Sequence, residues 1–165
     1  MRPSYLLLWM TLLIGVSALA ACSSDTVADD QPLVDREIRV EGRMFAWNVT
    51  QAGPDGKLDT SDDIKLVNNI VIPVGSRIKF KLSSKDVLHG FFVPRLGIRT
   101  TVIPGRAIEK EAVAVKEGRF PMACSQVCGP GHGQMLGWIH VVPQAQYESW
   151  LTGRKSEKNG LEPNS

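Results

Sequence analysis

The stretch Cys124-Ser125-Gln126-Val127-Cys128-Gly129-Pro130-Gly131-His132-Gly133-Gln134-Met135 constrains this chain more than any other. Gly129, Pro130, Gly131 and Gly133 exclude a regular helix or an interior strand, so the segment is a tight connection. The runs on either side, Gly118 to Ala123 and Leu136 to Val142, read as strands that hold its two ends. Between them the loop gathers two thiols, an imidazole and a thioether at spacings C-x3-C-x3-H-x2-M. Loops on a rigid β-scaffold are where metal ligands are presented.

Ligand type narrows the metal. Thiolate, imidazole and a weak thioether together suit copper, as in trigonal sites with a long axial methionine. Such a site needs a second histidine, and His89, in Asp86-Val87-Leu88-His89-Gly90-Phe91-Phe92-Val93, is the candidate. Two cysteines exceed the need of one copper, and two thiolates with two imidazoles can instead bridge and terminate a pair. Two other readings stand beside this one. The cysteines can form a disulfide, as in many exported chains, which leaves His132 and Met135 without a role. Cys124, Cys128, His132 and His89 can hold a structural zinc ion, which leaves Met135 unused.

Taken in order, Val87-Leu88-His89-Gly90-Phe91, Leu96-Gly97-Ile98, Ile103-Pro104-Gly105-Arg106 and the cysteine loop resemble the CuA domain of cytochrome c oxidase subunit II. The resemblance spans roughly residues 36 to 151. It implies an all-β, cupredoxin-like Greek-key barrel or sandwich carrying two copper ions as a binuclear CuA centre. By that likeness Cys124 and Cys128 bridge the coppers and His89 and His132 each cap one. Met135 and the backbone carbonyl of Gln126 are the weak axial ligands. The family commonly has Glu where Gln126 stands, and there the side chain also holds magnesium at the boundary with subunit I. Gln at this position resembles the B-family oxidases and leaves the carbonyl ligand intact. Thr101 stands where the family often has Asp. The family's aromatic patch, through which electrons enter, matches Phe45 and Trp47 in type and order; both residues also read as ordinary core aromatics. The implied function is one-electron transfer. Electrons would come from cytochrome c or a small copper protein and pass to a haem-bearing oxidase subunit I. A CuA-bearing nitric oxide reductase subunit, a free-standing carrier and a copper-handling lipoprotein are the alternatives.

Ahead of the domain, Tyr5 to Ala21 is apolar and uncharged after one basic residue, Arg2. Leu19-Ala20-Ala21-Cys22 resembles a bacterial lipobox, which implies a signal peptide over residues 1–21 and lipidation of Cys22. An uncleaved N-terminal helix is the other reading. Either one tethers the domain to the outer face of the cytoplasmic membrane, and neither resembles the two-helix hairpin of most subunit II proteins. Residues 22–35 read as the lipidated Cys and a polar linker, 36–153 as the domain and 154–165 as a disordered tail. About 140 residues outside the leader suffice for one domain with a core. A formal net charge of +2 gives no nucleic-acid footprint.

Within the domain, Ser76 to Leu82 alternates, with Ile78, Phe80 and Leu82 predicted inward and Arg77, Lys79 and Lys81 outward. Ile64 to Ile72 reads as one strand and Val87 to Val93 as a buried one. Gly53 to Asp63 carries four aspartates but lacks EF-hand order and a closing Glu, so a solvated hairpin loop is expected there rather than a calcium site. His140 falls on the face of Trp138 and Val142 and reads as structural. Pro143 to Leu151 reads as a terminal helix with Gly153 as its stop. No acid–base or nucleophilic constellation suggests independent catalysis.

Overall fold

The structure is a computed structural model that describes residues 35–159, with side chains described to residue 154. The expected signal peptide, Cys22, nearly all of the linker and the last six residues lie outside the described residues. Ten strands follow in order: β1 (Asp35–Arg43), β2 (Ala46–Gln51), β3 (Ile64–Val67), β4 (Asn69–Pro73), β5 (Arg77–Ser84), β6 (His89–Val93), β7 (Ile98–Val102), β8 (Ile108–Val113), β9 (Gly118–Cys124) and β10 (Leu136–Val142). Helix α1 (Gln144–Asn159) closes the series. The strands form two five-stranded sheets, ordered β3-β2-β1-β5-β8 and β4-β10-β9-β6-β7. Two contacts are parallel, β1 with β5 and β4 with β10, and the other pairings are antiparallel. The result is the expected cupredoxin-like Greek-key sandwich.

Period-two patterning drives it. Along β5 the burial alternates strictly, with Ile78, Phe80 and Leu82 inside and Arg77, Lys79 and Lys81 toward solvent. β1 and β2 do the same with Ile38 and Val40, then Trp47 and Val49, so the two sheets close on one apolar layer. Each large side chain fully buried there contributes about 1.5–3 kcal/mol relative to exposure. Phe91 lies at its centre, against Trp47 at 5.2 Å and Phe80 at 5.7 Å between ring centroids.

Two features depart from the sequence reading. The run from Ile64 to Ile72 is not one strand. Asn68 adopts φ 57°, a left-handed conformation that Asn tolerates better than most residues. The chain turns there from the edge of one sheet (β3) to the edge of the other (β4). Asn68 secures this corner, since its Oδ1 and N–H bond to the Trp47 backbone and its carbonyl accepts from Trp138. Nearby, the buried Gln51 side chain pairs with both the N–H and the C=O of Val71, a side chain standing in for a backbone partner between sheets.

The helix also runs further than expected, through Gly153 to Asn159. A glycine inside a helix costs about 1 kcal/mol against alanine and does not by itself end it. The helix is held at its start, where Tyr147 and Leu151 bury against Ile64. Among the described residues no helix is long and apolar enough to cross a membrane.

Strand direction brings four connections to one end of the sandwich. The β1–β2 turn at Met44-Phe45, the β5–β6 turn at 85–88, the β7–β8 turn and the cysteine loop all lie there, linked by the Lys85 N–H to Gly42 C=O bond and the Ser84–Pro104 bridge. The loop between β2 and β3 leaves from the opposite end.

Candidate metal centre

Backbone bonds shape the cysteine loop before its side chains are considered. The Cys124 N–H donates to Met135 C=O at 3.0 Å and closes the loop at its neck. A single 3-10 turn, His132–Gln134, forms through bonds from the His132, Gln134 and Met135 N–H groups to Gly129, Gly131 and His132. Ser125 N–H donates to Gly90 C=O at 2.9 Å and staples the loop to β6. That staple needs a glycine, because a Cβ at position 90 would lie 2.8 Å from the Gln126 backbone nitrogen.

The donor atoms then converge. Cys124 Sγ lies 3.9 Å from Cys128 Sγ, 3.9 Å from His89 Nδ1 and 3.0 Å from the carbonyl oxygen of Gln126. Cys128 Sγ lies 3.7 Å from His132 Nδ1 and 3.8 Å from Met135 Sδ. Each thiol therefore has one imidazole and one weak donor beside it. All six residues singled out in the sequence meet here. The Gln126 side chain itself points to solvent, so only its carbonyl faces a thiol. Both cysteines are free thiols, and their separation is far beyond the roughly 2.05 Å of a disulfide bond. His89 and Met135 are fully buried, while Cys124 and His132 are partly so. Burial, and then the adjacent Cys124, push the Cys128 thiol up to about 11.

The donor set discriminates between metals. Two thiols, two imidazoles, a thioether and a carbonyl exceed a tetrahedral zinc site, whereas imidazole and thiolate with a weak thioether suit copper. The residues fit a copper centre.

Aromatic side chains wall the cluster. Phe45 packs directly on the loop's glycines, and a Cβ at Gly131 would lie 2.4 Å from Phe45 Cδ2. Trp47 is wholly buried and meets the His89 ring edge-on, with centroids 5.9 Å apart. It offers no surface, whereas Phe45 is partly exposed. His140 stays apart from the cluster, bonded to Asn69 Oδ1 at 3.1 Å. It lines a groove of about 340 Å³ beneath α1 that contains none of the donors.

One participant escaped the sequence reading. Asp86 sits three residues before His89, and its Oδ1 lies 2.8 Å from His89 Nε2. Burial pushes this carboxyl up, but bonds from the Met44 N–H, from His89 and from the Val87 N–H outweigh it and hold it below the usual range. The only signal in the sequence was an Asp in a turn, a common residue there for its own local bonding.

Known proteins share the family and the fold. Residues 44–142 match the family described as cytochrome C oxidase subunit II, periplasmic domain. The alternative cytochrome c oxidase subunit 2 of Bradyrhizobium diazoefficiens is 26% identical over 90% of this chain and 63% of its own length, so the chain spans less than two thirds of that relative. The crystal structure of the periplasmic domain of cytochrome oxidase subunit II from Bradyrhizobium japonicum superposes with a TM-score of 0.66 at 28% identity, covering 76% of this chain and 97% of that one. A mixed disulfide between a thioredoxin-like protein and subunit II of cytochrome c oxidase superposes at 0.63 with 29% identity, covering 78% and 97%. The strand order, the converging donors and the match over residues 44–142 lead to one assignment: the chain belongs to the family of the periplasmic domain of cytochrome c oxidase subunit II.

Proposed function

We propose that this protein binds two copper ions as a binuclear CuA centre and transfers single electrons as a subunit II component of a haem–copper oxidase. The observation that carries the proposal is the doubled donor set, in which each thiol is flanked by one imidazole and one weak donor. Cys124 and Cys128 would bridge, His89 and His132 would terminate, and Met135 with the Gln126 carbonyl would bind weakly. When bound, the copper pair supplies the one-electron redox chemistry.

The chain's own residues do the rest. Four backbone bonds and the staple to β6 hold the loop in one geometry, so little reorganisation accompanies a change of charge. Buried His89, Met135 and Phe91 exclude water and lower the local dielectric, which tunes a redox site. Phe45 is the partly exposed aromatic over the loop, with Trp47 behind it as a buried relay, and this pair would receive electrons from cytochrome c or a small copper protein. Subunit I would accept them. A lipid at Cys22 would hold the domain at the outer face of the cytoplasmic membrane. Because metal binding requires free thiolates, a thioredoxin-like reductant of the Cys124–Cys128 pair belongs among the proposed partners, by analogy with the mixed disulfide of the relative.

The test is copper analysis and EPR of a soluble form beginning at Ser23. Two coppers per chain and a seven-line hyperfine pattern, as one electron shared equally by two copper nuclei must give, are expected. One copper per chain at saturation, or a four-line spectrum, would refute the binuclear reading.

A further inference from the structure

Asp86 does more than its turn requires. Its Oδ1 accepts the Val87 N–H at 2.7 Å and lies 2.8 Å from His89 Nε2, while its Oδ2 accepts the Met44 N–H at 2.7 Å. Met44 opens the turn whose next residue, Phe45, lies over Gly129 and Gly131. One carboxylate thus joins the imidazole nearest Cys124 to the turn that covers the cysteine loop.

We propose that Asp86 is a positioning residue, a bracket that selects the His89 tautomer facing the thiols and ties that imidazole to the Met44-Phe45 cover. The proposal rests on the copper-centre reading for its consequence, though its geometry stands independently of any metal. An ionised carboxylate only accepts hydrogen bonds, so His89 Nε2 carries the ring proton and donates it. With Nε2 engaged by the carboxylate, Nδ1, the atom 3.9 Å from Cys124 Sγ, is the nitrogen left to face the thiols. No solvent competes, because His89 is 0% exposed. The ring is also confined from the side: a Cβ on Gly42 would lie 2.9 Å from its Cδ2, and Trp47 meets it edge-on. Metal-bound histidines commonly donate their other N–H to a carboxylate, which fixes ring orientation and raises ligand basicity.

Asparagine cannot replace this group. Its single carbonyl oxygen would have to serve the N–H groups of Met44, Val87 and His89, and its NH2 would face one of them as a second donor. If the NH2 faces Nε2, the ring proton moves to Nδ1 and points at the thiols. If it faces Met44, the cover turn loses its anchor. The fold itself has another tie at this place, the Lys85 N–H to Gly42 C=O bond at 2.9 Å, which the substitution leaves untouched.

The experiment compares the full-length protein with its Asp86→Asn and Asp86→Glu variants, using Lys85→Ala as the control for a general disturbance of the turn. Nitrogen-15 spectra of the copper-free proteins read the His89 tautomer, and amide exchange reads Met44. The native protein and Lys85→Ala should show only the Nε2–H form, with Met44 protected. Asp86→Asn should populate the Nδ1–H form or lose Met44 protection. On loading it should bind copper about 10–100-fold more weakly with shifted visible bands. Asp86→Glu, which keeps the acceptor, should restore the Nε2–H form, and it serves as the readout should Asp86→Asn not fold. An Asp86→Asn protein that keeps the Nε2–H form, Met44 protection and native copper affinity overturns the proposal, even if its melting temperature falls. A native protein that takes up no copper defeats the copper-centre reading instead, and the tautomer comparison then still decides the role of Asp86.

Discussion

Two loops of similar length sit at opposite ends of this sandwich and use their polar groups in opposite ways. In the acidic loop from Gly53 to Asp63, side chains bond to their own backbone. Asp55 accepts from the Lys57 N–H, Asp62 from the Asp55 N–H and the Thr60 hydroxyl, and Asp63 from the Asp59 N–H. Asp59 turns outward to a two-pronged pair with Arg39 at 2.8 and 2.9 Å. Those carboxylates shape the loop that the sequence leads one to expect as a solvated hairpin connection. In the cysteine loop the backbone bonds to itself and to β6, and the side-chain donors are left facing one another. The contrast teaches that a ligand loop is built from main-chain bonds and poor hydrogen-bonding side chains. A loop folded by its carboxylates has spent them.

Substitutions can break or sharpen that contrast, and the largest effect is expected from Cys128→Ser. Serine lacks the soft bridging thiolate, so copper content should fall from two per chain to at most one and the seven-line signal should vanish. Asp62→Asn, the equivalent insult at the other end, should leave metal analysis unchanged. Next comes Trp47→Ala, which empties a fully buried site beside His89. Denaturant unfolding of the copper-free domain should show a loss of about 3–5 kcal/mol. Gly131→Ala should cost less, about 1–3 kcal/mol for overpacking against Phe45. Adding Phe45→Ala should recover part of that loss in a double-mutant cycle, and strict additivity would show that the ring does not press on the loop.

Smaller effects belong to the acidic end. Asp59→Asn removes a solvent-exposed pair, so the melting temperature should move little and the difference should shrink further with added salt. Smallest of all is the pH term of His140, which belongs to neither loop. Burial first, and then Arg119, hold its pKa below the ordinary value. The unfolded chain therefore binds that proton more readily than the fold does, and stability drains away as pH falls from the ordinary histidine range toward the folded value. His140→Gln should flatten that part of the acid unfolding curve and leave copper uptake alone.

Much of this was legible in the residues. The alternation of Ile78, Phe80 and Leu82 settles which face of β5 points inward, and glycines around Cys128 force a loop whatever its partners. What stayed hidden depends on contacts distant in sequence. The Asn68-Asn69 pair is a weak mark of a corner, and the apolar residues on either side of it read together as one strand. Gln51 reads as a polar residue at a strand end, yet it is buried because Val71 stands 20 residues away to receive it. Trp47 and Phe45 read alike as aromatics near the site. Only the register of β1 with β2 sends one into the core and leaves the other over the loop.

The placement of His89 on one strand, Cys124 at the end of another and Cys128 beyond it sets an order of events. β6 meets β9 only through Phe91 with Cys124 and Phe92 with Ala123, a pairing of residues more than thirty positions apart. Contacts of such separation form slowly, since the intervening chain must first be ordered. Until they form, the thiols and His132 are mates within a short loop and the His89 imidazole is a stranger to them. During that interval the loop carries Cys124, Cys128, His132 and Met135 but lacks His89. The full donor set is therefore in place only once β6 and β9 have paired.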